Sequence, residues 1–314
     1  MIEHIWTSAK VVSGMSSSVK INRGAIRKFC AQFDSSKASH WLASSPFSIR
    51  ELDANDRLAY LFVYSAVCFS YWGDPKWKVD YKGKEYDGSH AMLAAIGKSV
   101  EKSGEMLNPK HLSRLKRKEA EKLFEGNIEI PMLGERWQNL RELGYVILKE
   151  FEGKFRNVVE FSGNEASGIV ETMKMHFPSY RESYGYVGKV IGFFKRAQLL
   201  AADIANSFPE EPLLWIKHPE VLTACADYKL PQVLRRHGVL EYSGELAQLV
   251  DSKAELKSGS AYEVEIRAST IQAVELMKLE LPYTANQIND YLWLEGQEKH
   301  KDDKPYHRTR TTAY

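Results

Sequence analysis

Apolar residues along most of this chain recur every three or four positions, the spacing that lines one stripe of an α-helix rather than one face of a strand. The clearest stretch runs from Ser260 to Leu281, where Tyr262, Ile266, Thr270, Ala273, Val274 and Met277 keep that step. It predicts a helix of about five turns. Ser260 followed by Glu263 predicts a capping box at its start, and Glu263 with Arg267 an i,i+4 ion pair. The same periodicity predicts helices over roughly 20–33, 54–70, 88–102, 110–124, 135–151, 164–176, 193–206, 229–237, 244–252 and 285–295. One strand pair is legible, Trp77 to Tyr81 against Lys84 to Asp87, with Gly83 able to take positive φ in the turn. A lone hairpin cannot found a sheet, and no repeat or Ser/Gly-rich linker divides the chain. The expectation is a mainly α fold: one helical domain over residues 1–314, with room for two lobes, and a small β-hairpin near 77–87.

Composition narrows the partners more than the fold. Forty-three Lys and Arg against 41 Asp and Glu leave a formal charge of +2, so no strong basic field draws the protein onto a nucleic-acid polymer, whose affinity rests on phosphate neutralisation. A small anionic ligand needs only two or three local cations. Cys30, Cys68 and Cys225 are odd in number and far apart, without a CxxC pair, which predicts a reduced cytoplasmic protein with no structural zinc. Met1 to Lys10 lacks the apolar core of a signal peptide. The longest apolar run, Leu58 to Trp72, is interrupted by Tyr60, Tyr64, Ser65 and Ser70 and is too short to span a bilayer. No membrane partner is expected. The polar stretch Glu298 to Arg310 carries Pro305, Tyr306 and His307, and it is expected to pack back onto the body.

Three segments hold residues suited to chemistry. Between Leu222 and Gln232, Asp227 stands in an apolar stretch just before Pro231, in the bend that opens a helix. By residue type it is a cap as readily as a catalytic carboxylate. Lys195 and Arg196 follow Phe193 and Phe194 where another helix begins. Successive helical residues point about 100° apart, so one cation can face an anion while the other faces elsewhere. Asn289, Asp290, Tyr291, Trp293 and Glu295 combine acids, an amide and aromatic rings on two helical turns, a set that can clamp a heterocycle or simply fill a core. His40, beside Trp41 in a Ser-rich loop, reads by residue type more as a surface or satisfied polar residue than as a ligand contact. The chain has no GxGxxG, GxxxxGKS, HExxH or GxSxG pattern, so carboxylate-based hydrolysis or simple binding remains, with no metal or cofactor expected.

Read in order, eight segments resemble the queuosine salvage proteins, a family of queuosine 5'-phosphate N-glycosidases. They are Phe69 to Trp72, Tyr81 to Gly88, Ile130 to Arg136, Lys195 to Gln198, Ala226 to Leu234, Gly238 to Ser243, Glu263 to Arg267 and Asp290 to Trp293. Each is modest alone, but their collinear order covers nearly the whole chain from about residue 40. Two positions depart from the expected pattern: Cys225 stands where an aromatic residue, usually Phe, is expected, and Lys229 where Arg is expected. The second keeps the charge and loses the bidentate fork.

The resemblance implies a helical fold similar to helix-hairpin-helix DNA glycosylases and hydrolysis of a free mononucleotide to queuine and ribose 5-phosphate. It favours Asp227 as the catalytic carboxylate. It implies queuine contacts from His40, Cys225, Asp227 and the Asp290–Tyr291 region, with Asn289 and Glu295 as neighbours in register. Lys195, Arg196, Tyr228 and Lys229 are the candidates for the phosphate and ribose. The alternatives are a non-catalytic binder of deazapurine nucleotides and a glycosylase acting on nucleic acid.

Overall fold

The computed structural model describes residues 2–301 and 303–314 and is mainly helical, with fourteen α-helices and three two-stranded antiparallel sheets among those residues. Helix Ala54–Val67 is buried on nearly every side, from Arg57 to Val67, which is why its apolar residues form a run rather than a narrow stripe. Around it gather Gly88–Lys102, Leu133–Glu150, Phe155–Phe161 and Lys195–Ser207, sharing one large apolar cluster. A second cluster forms where Arg23–Ala31, Lys229–Arg236 and Ala285–Glu295 meet the far side of Ala261–Met277.

Ala261–Met277 therefore sits in the seam between the clusters. Its Val264, Ala268 and Ile271 belong to the first, and its Ile266, Ala273, Val274 and Met277 to the second. The anticipated capping box is only half formed. Ser260 Oγ accepts from the Glu263 amide, but the Glu263 carboxylate turns to the amide of Gly259 instead of Ser260. The anticipated Glu263–Arg267 pair is present at 3.2 Å and fully buried rather than on a solvated face.

Several boundaries differ from the sequence reading, each for a local reason. The predicted helix 20–33 begins only at Arg23, because Val19–Ile21 pairs with Leu240–Tyr242, a long-range match that local periodicity cannot reveal. Helix Ala54–Val67 stops short of residue 70, where Ser70 takes a φ of 40°. The stretch 110–124 divides into Pro109–Ser113 and Arg117–Leu123. Ile2–Met15 and Phe155–Phe161 are helices that the periodicity scan passed over. The hairpin Lys78–Tyr81 with Lys84–Asp87 is where it was expected, and a second, Tyr184–Tyr186 with Lys189–Ile191, accompanies it.

The carboxy-terminal stretch returns to the body as anticipated. Ser70 donates its amide to the Tyr314 carbonyl at 2.8 Å and its hydroxyl to the Thr311 carbonyl at 2.7 Å, while Trp72 donates to the Thr309 carbonyl at 3.1 Å. His307, Thr309 and Tyr314 are buried. Among the described residues, no helix is long and apolar enough to cross a membrane.

Candidate active site

At the seam between the two clusters the segment Leu222 to Tyr228 runs without regular structure before entering helix Lys229–Arg236. Asp227 stands in the bend, as its neighbour Pro231 suggested. Its Oδ1 accepts the amides of Lys229 at 2.7 Å and Leu230 at 3.3 Å. Two helix-terminal donors thus hold one oxygen in place. Among the described residues nothing donates to Oδ2, so the cap leaves half of this buried carboxylate for other work.

Asp227 lines two chambers that meet. The first, about 300 Å³, is walled by Trp41, Tyr64, Leu199, Cys225, Leu230 and Asn289. The second, about 540 Å³, carries Lys76, Tyr228, Lys229, Tyr306 and Tyr314. Ser89, Lys195, Asp227 and Trp293 belong to both. One chamber is largely aromatic and apolar, and the other is polar and cationic. The lining of the first suits a planar ring and that of the second an anion.

The helix Lys195–Ser207 separates its two leading cations. Lys195 is 8% exposed and reaches the junction of the chambers. Its burial opposes the charge, but Cys68, Asp227 and other nearby groups outweigh that, and the ammonium is held above the ordinary lysine range. No carboxylate among the described residues forms an ion pair with it. Arg196 is committed elsewhere. It donates to the carbonyls of Ser65, Ala66 and Ser179 and lies over the Tyr180 ring at 4.2 Å. Of the two cations, the structure brings only Lys195 to the cleft. Gln198, one turn on, ties this helix to the Asp227 segment by accepting the Thr223 amide at 2.9 Å and donating to the Phe193 carbonyl.

In the second chamber Lys229 lies under Tyr306, its pKa lowered by burial and by Lys76, with Asp227 acting against the shift. Lys76 pairs with Asp87 at 3.0 Å. Asp87 makes no side-chain cap bond at the start of helix Gly88–Lys102, whose first residues, Gly88 and Ser89, line the chamber.

Behind the first chamber lies a second acid cluster. Asn289 Oδ1 accepts the Cys225 amide at 2.9 Å and its Nδ2 donates to Asp290 at 3.1 Å. His40 Nε2 stands 3.4 Å from Asp203 and 3.8 Å from Asp290. Trp41 links all of them, giving its indole N–H to Asp203 at 2.8 Å and its amide to Asp290 at 3.4 Å. Burial lifts Asp290 to about 6 against the pull of His40, and burial raises Asp203 too. For His40, burial favours the neutral ring, but Asp203 and then Asp290 overcome it and its pKa is raised.

Four further candidates line neither chamber: His40 and Asp290, which border a separate depression with Ser39 and Gln287, and Tyr291 and Glu295. Tyr291 stacks on Phe33 at 4.1 Å, and Glu295 binds Arg236 at 2.5 Å and His237 at 2.6 Å, so both hold helices together. The sequence reading missed Asp203, Lys76 and the chamber wall of Tyr64, Ser89, Leu199 and Leu230. Asp203 carried the signal that singled out Asp227, an acid within an apolar run, Leu199 to Ile204. Among the described residues no group of three His, Cys, Asp or Glu side chains is placed to hold a metal ion.

Residues 49–314 match the family described as queuosine salvage protein. The chain belongs to that family. Its relatives include proteins named queuosine 5'-phosphate N-glycosylase/hydrolase from Sphaerobacter thermophilus, 34% identical with 99% of this chain and 97% of the relative covered. Those of Mus musculus, 31% identical over 98% and 97%, and of Dictyostelium discoideum, 28% identical over 96% of each, bear the same name. The likeness thus extends over nearly the whole chain, and the residues lining the two chambers lie within the matched residues except for Trp41, which precedes residue 49.

Proposed function

We propose that this chain is an N-glycosidase that hydrolyses queuosine 5'-phosphate to queuine and ribose 5-phosphate, so that the base can be reused for tRNA modification. One observation carries the reading beyond family membership: a buried carboxylate, Asp227, stands at the junction of an aromatic chamber and a cationic chamber. A nucleotide laid across them puts its base in the first, its phosphate in the second and its glycosidic bond beside Asp227.

Cleavage of that bond leaves positive charge on the ribose ring, and a fixed carboxylate lowers the barrier by stabilising it. Oδ1 of Asp227 is held by two amides, so Oδ2 faces the anomeric carbon, either as nucleophile or as base for a water. A 7-deazaguanine has carbon where other purines are protonated on departure. Hydrogen bonds to its pyrimidine edge must therefore stabilise the departing base, and Asn289 lines the aromatic chamber with Asp290 and then His40 behind it. Lys195, Lys229, Lys76 and the uncapped amides near Ser89 receive the 5'-phosphate. The substrate is a mononucleotide rather than a polymer. Its compartment is the cytoplasm, where the three unpaired cysteines stay reduced.

Incubation of queuosine 5'-phosphate with the protein and a chelator, followed by liquid chromatography and mass detection, tests this. Queuine and ribose 5-phosphate are expected in equal amounts. Saturable binding with intact nucleotide would instead make the protein a binder.

A further inference from the structure

Beneath the cleft floor one guanidinium joins the two segments that supply its central charges. Arg267, fully buried, donates Nε–H to the carbonyl of Ala226 at 2.9 Å and Nη1–H to Glu182 Oε1 at 2.5 Å. The other oxygen of Glu182 accepts the amide of Phe194 at 2.6 Å. Ala226 immediately precedes Asp227, and Phe194 immediately precedes Lys195. The rings of Phe193 and Tyr314 lie 4.3 Å from the guanidinium carbon and leave it no room to swing.

Phe194 has a φ of 49°, a left-handed conformation that a bulky residue rarely adopts and that persists only where the surroundings impose it. The Glu182 carboxylate on its amide is part of that imposition. Glu263 also touches Arg267 at 3.2 Å, so the guanidinium retains a carboxylate partner if Glu182 is neutralised.

We propose that Arg267 and Glu182 are a positioning pair that fixes Lys195 against Asp227, each acting through the peptide that precedes the charged residue. Neither touches the nucleotide. The pair matters because electrostatic stabilisation of a developing ribosyl cation depends on prior alignment, and sub-ångström displacement of a fixed charge costs rate rather than affinity. This inference rests on the glycosidase reading above.

Glu182→Gln is the first variant to test, since it leaves Arg267 paired with Glu263. Its kcat for queuine release is expected to fall about 10- to 100-fold while KM moves less than about threefold, in protein that still melts cooperatively. Arg267→Lys keeps a buried charge but cannot reach both Ala226 and Glu182, and it is expected to show the same split. Combining the two substitutions is expected to cost no more than the worse of them. A merely structural pair would lower the melting temperature without changing turnover per folded molecule. A kcat within threefold of wild type in folded protein, or a loss carried by KM, overturns the proposal. The wild-type assay separates the two claims: no queuine from wild type defeats the glycosidase reading, whereas wild-type turnover with undisturbed variants defeats the pair alone.

Discussion

The imidazole of His40 stands 3.8 Å from the carboxylate of Asp290, on the wall behind the aromatic chamber. Burial raises Asp290 from 3.8 to about 6. A carboxyl with a raised folded-state pKa stabilises the fold in its protonated form. That contribution is complete below about pH 4 and is lost as pH rises through about 6. His40, also raised, acts in the same direction. Asp290→Asn removes the ionisation and keeps an oxygen for the Trp41 amide. It is expected to leave stability near wild type at pH 4 and to increase it at pH 8, by up to about 3 kcal/mol for a shift of this size, with a higher melting temperature there. Thermal melts across that range check the sign. Queuine release by the same variant is expected to drop, since Asp290 accepts a hydrogen bond from Asn289, which lines the aromatic chamber.

The cationic chamber leads to the expectation that a nucleotide is preferred over its nucleoside. Lys195 is buried, and no carboxylate among the described residues forms an ion pair with it, so the charge is available to a phosphate. Lys195→Met is expected to reduce kcat/KM for queuosine 5'-phosphate about 10- to 100-fold and to change that for queuosine only a few-fold, because a charge-assisted bond exists only in the first complex. Steady-state kinetics on both substrates decide it. Equal losses would place Lys195 at the ribose or the base instead.

Arg136 shows that a segment shared with the family can serve the fold alone. Completely buried on helix Leu133–Glu150, it donates to the carbonyls of Pro131, Val67, Phe69 and Ser70, and so closes the open end of helix Ala54–Val67. Arg136→Met strands those carbonyls in the interior and is expected to cost about 3–5 kcal/mol. Denaturant unfolding measures this, and the surviving folded protein is expected to bind queuine normally.

Most of the longer helices were legible from their three- and four-residue apolar step, though Ile2–Met15, which buries such a stripe, was missed, and the hairpin at Lys82 and Gly83 was legible from its turn. Pairing of Val19–Ile21 with Leu240–Tyr242 was not, because register between segments so far apart is set by the finished packing. In the site, Asp227 was visible as an acid in an apolar run before Pro231, and Lys195 as one of two cations at a helix start. Choosing Lys195 over Arg196 required knowing which side of the helix faces the cleft. Tyr291 and Glu295 looked like ligand contacts because their helix also carries Asn289 and Asp290, and only the neighbouring Phe33, Arg236 and His237 show that they face away. Arg267 was readable as half of an ion pair but not as a support for Asp227, since its partner Ala226 offers only a main-chain oxygen.

Asp227→Asn isolates the role of the Asp227 carboxylate. Asparagine retains an oxygen for the amides of Lys229 and Leu230, so the helix start and the cleft are preserved. The measurement is single-turnover release of queuine from queuosine 5'-phosphate by wild type and variant, with nucleotide binding followed in parallel. If Asp227 is the catalytic carboxylate, the rate falls by about 10²–10⁴-fold with binding within a few-fold of wild type. Full turnover by a variant that binds normally would contradict that role and remove Asp227 from the mechanism.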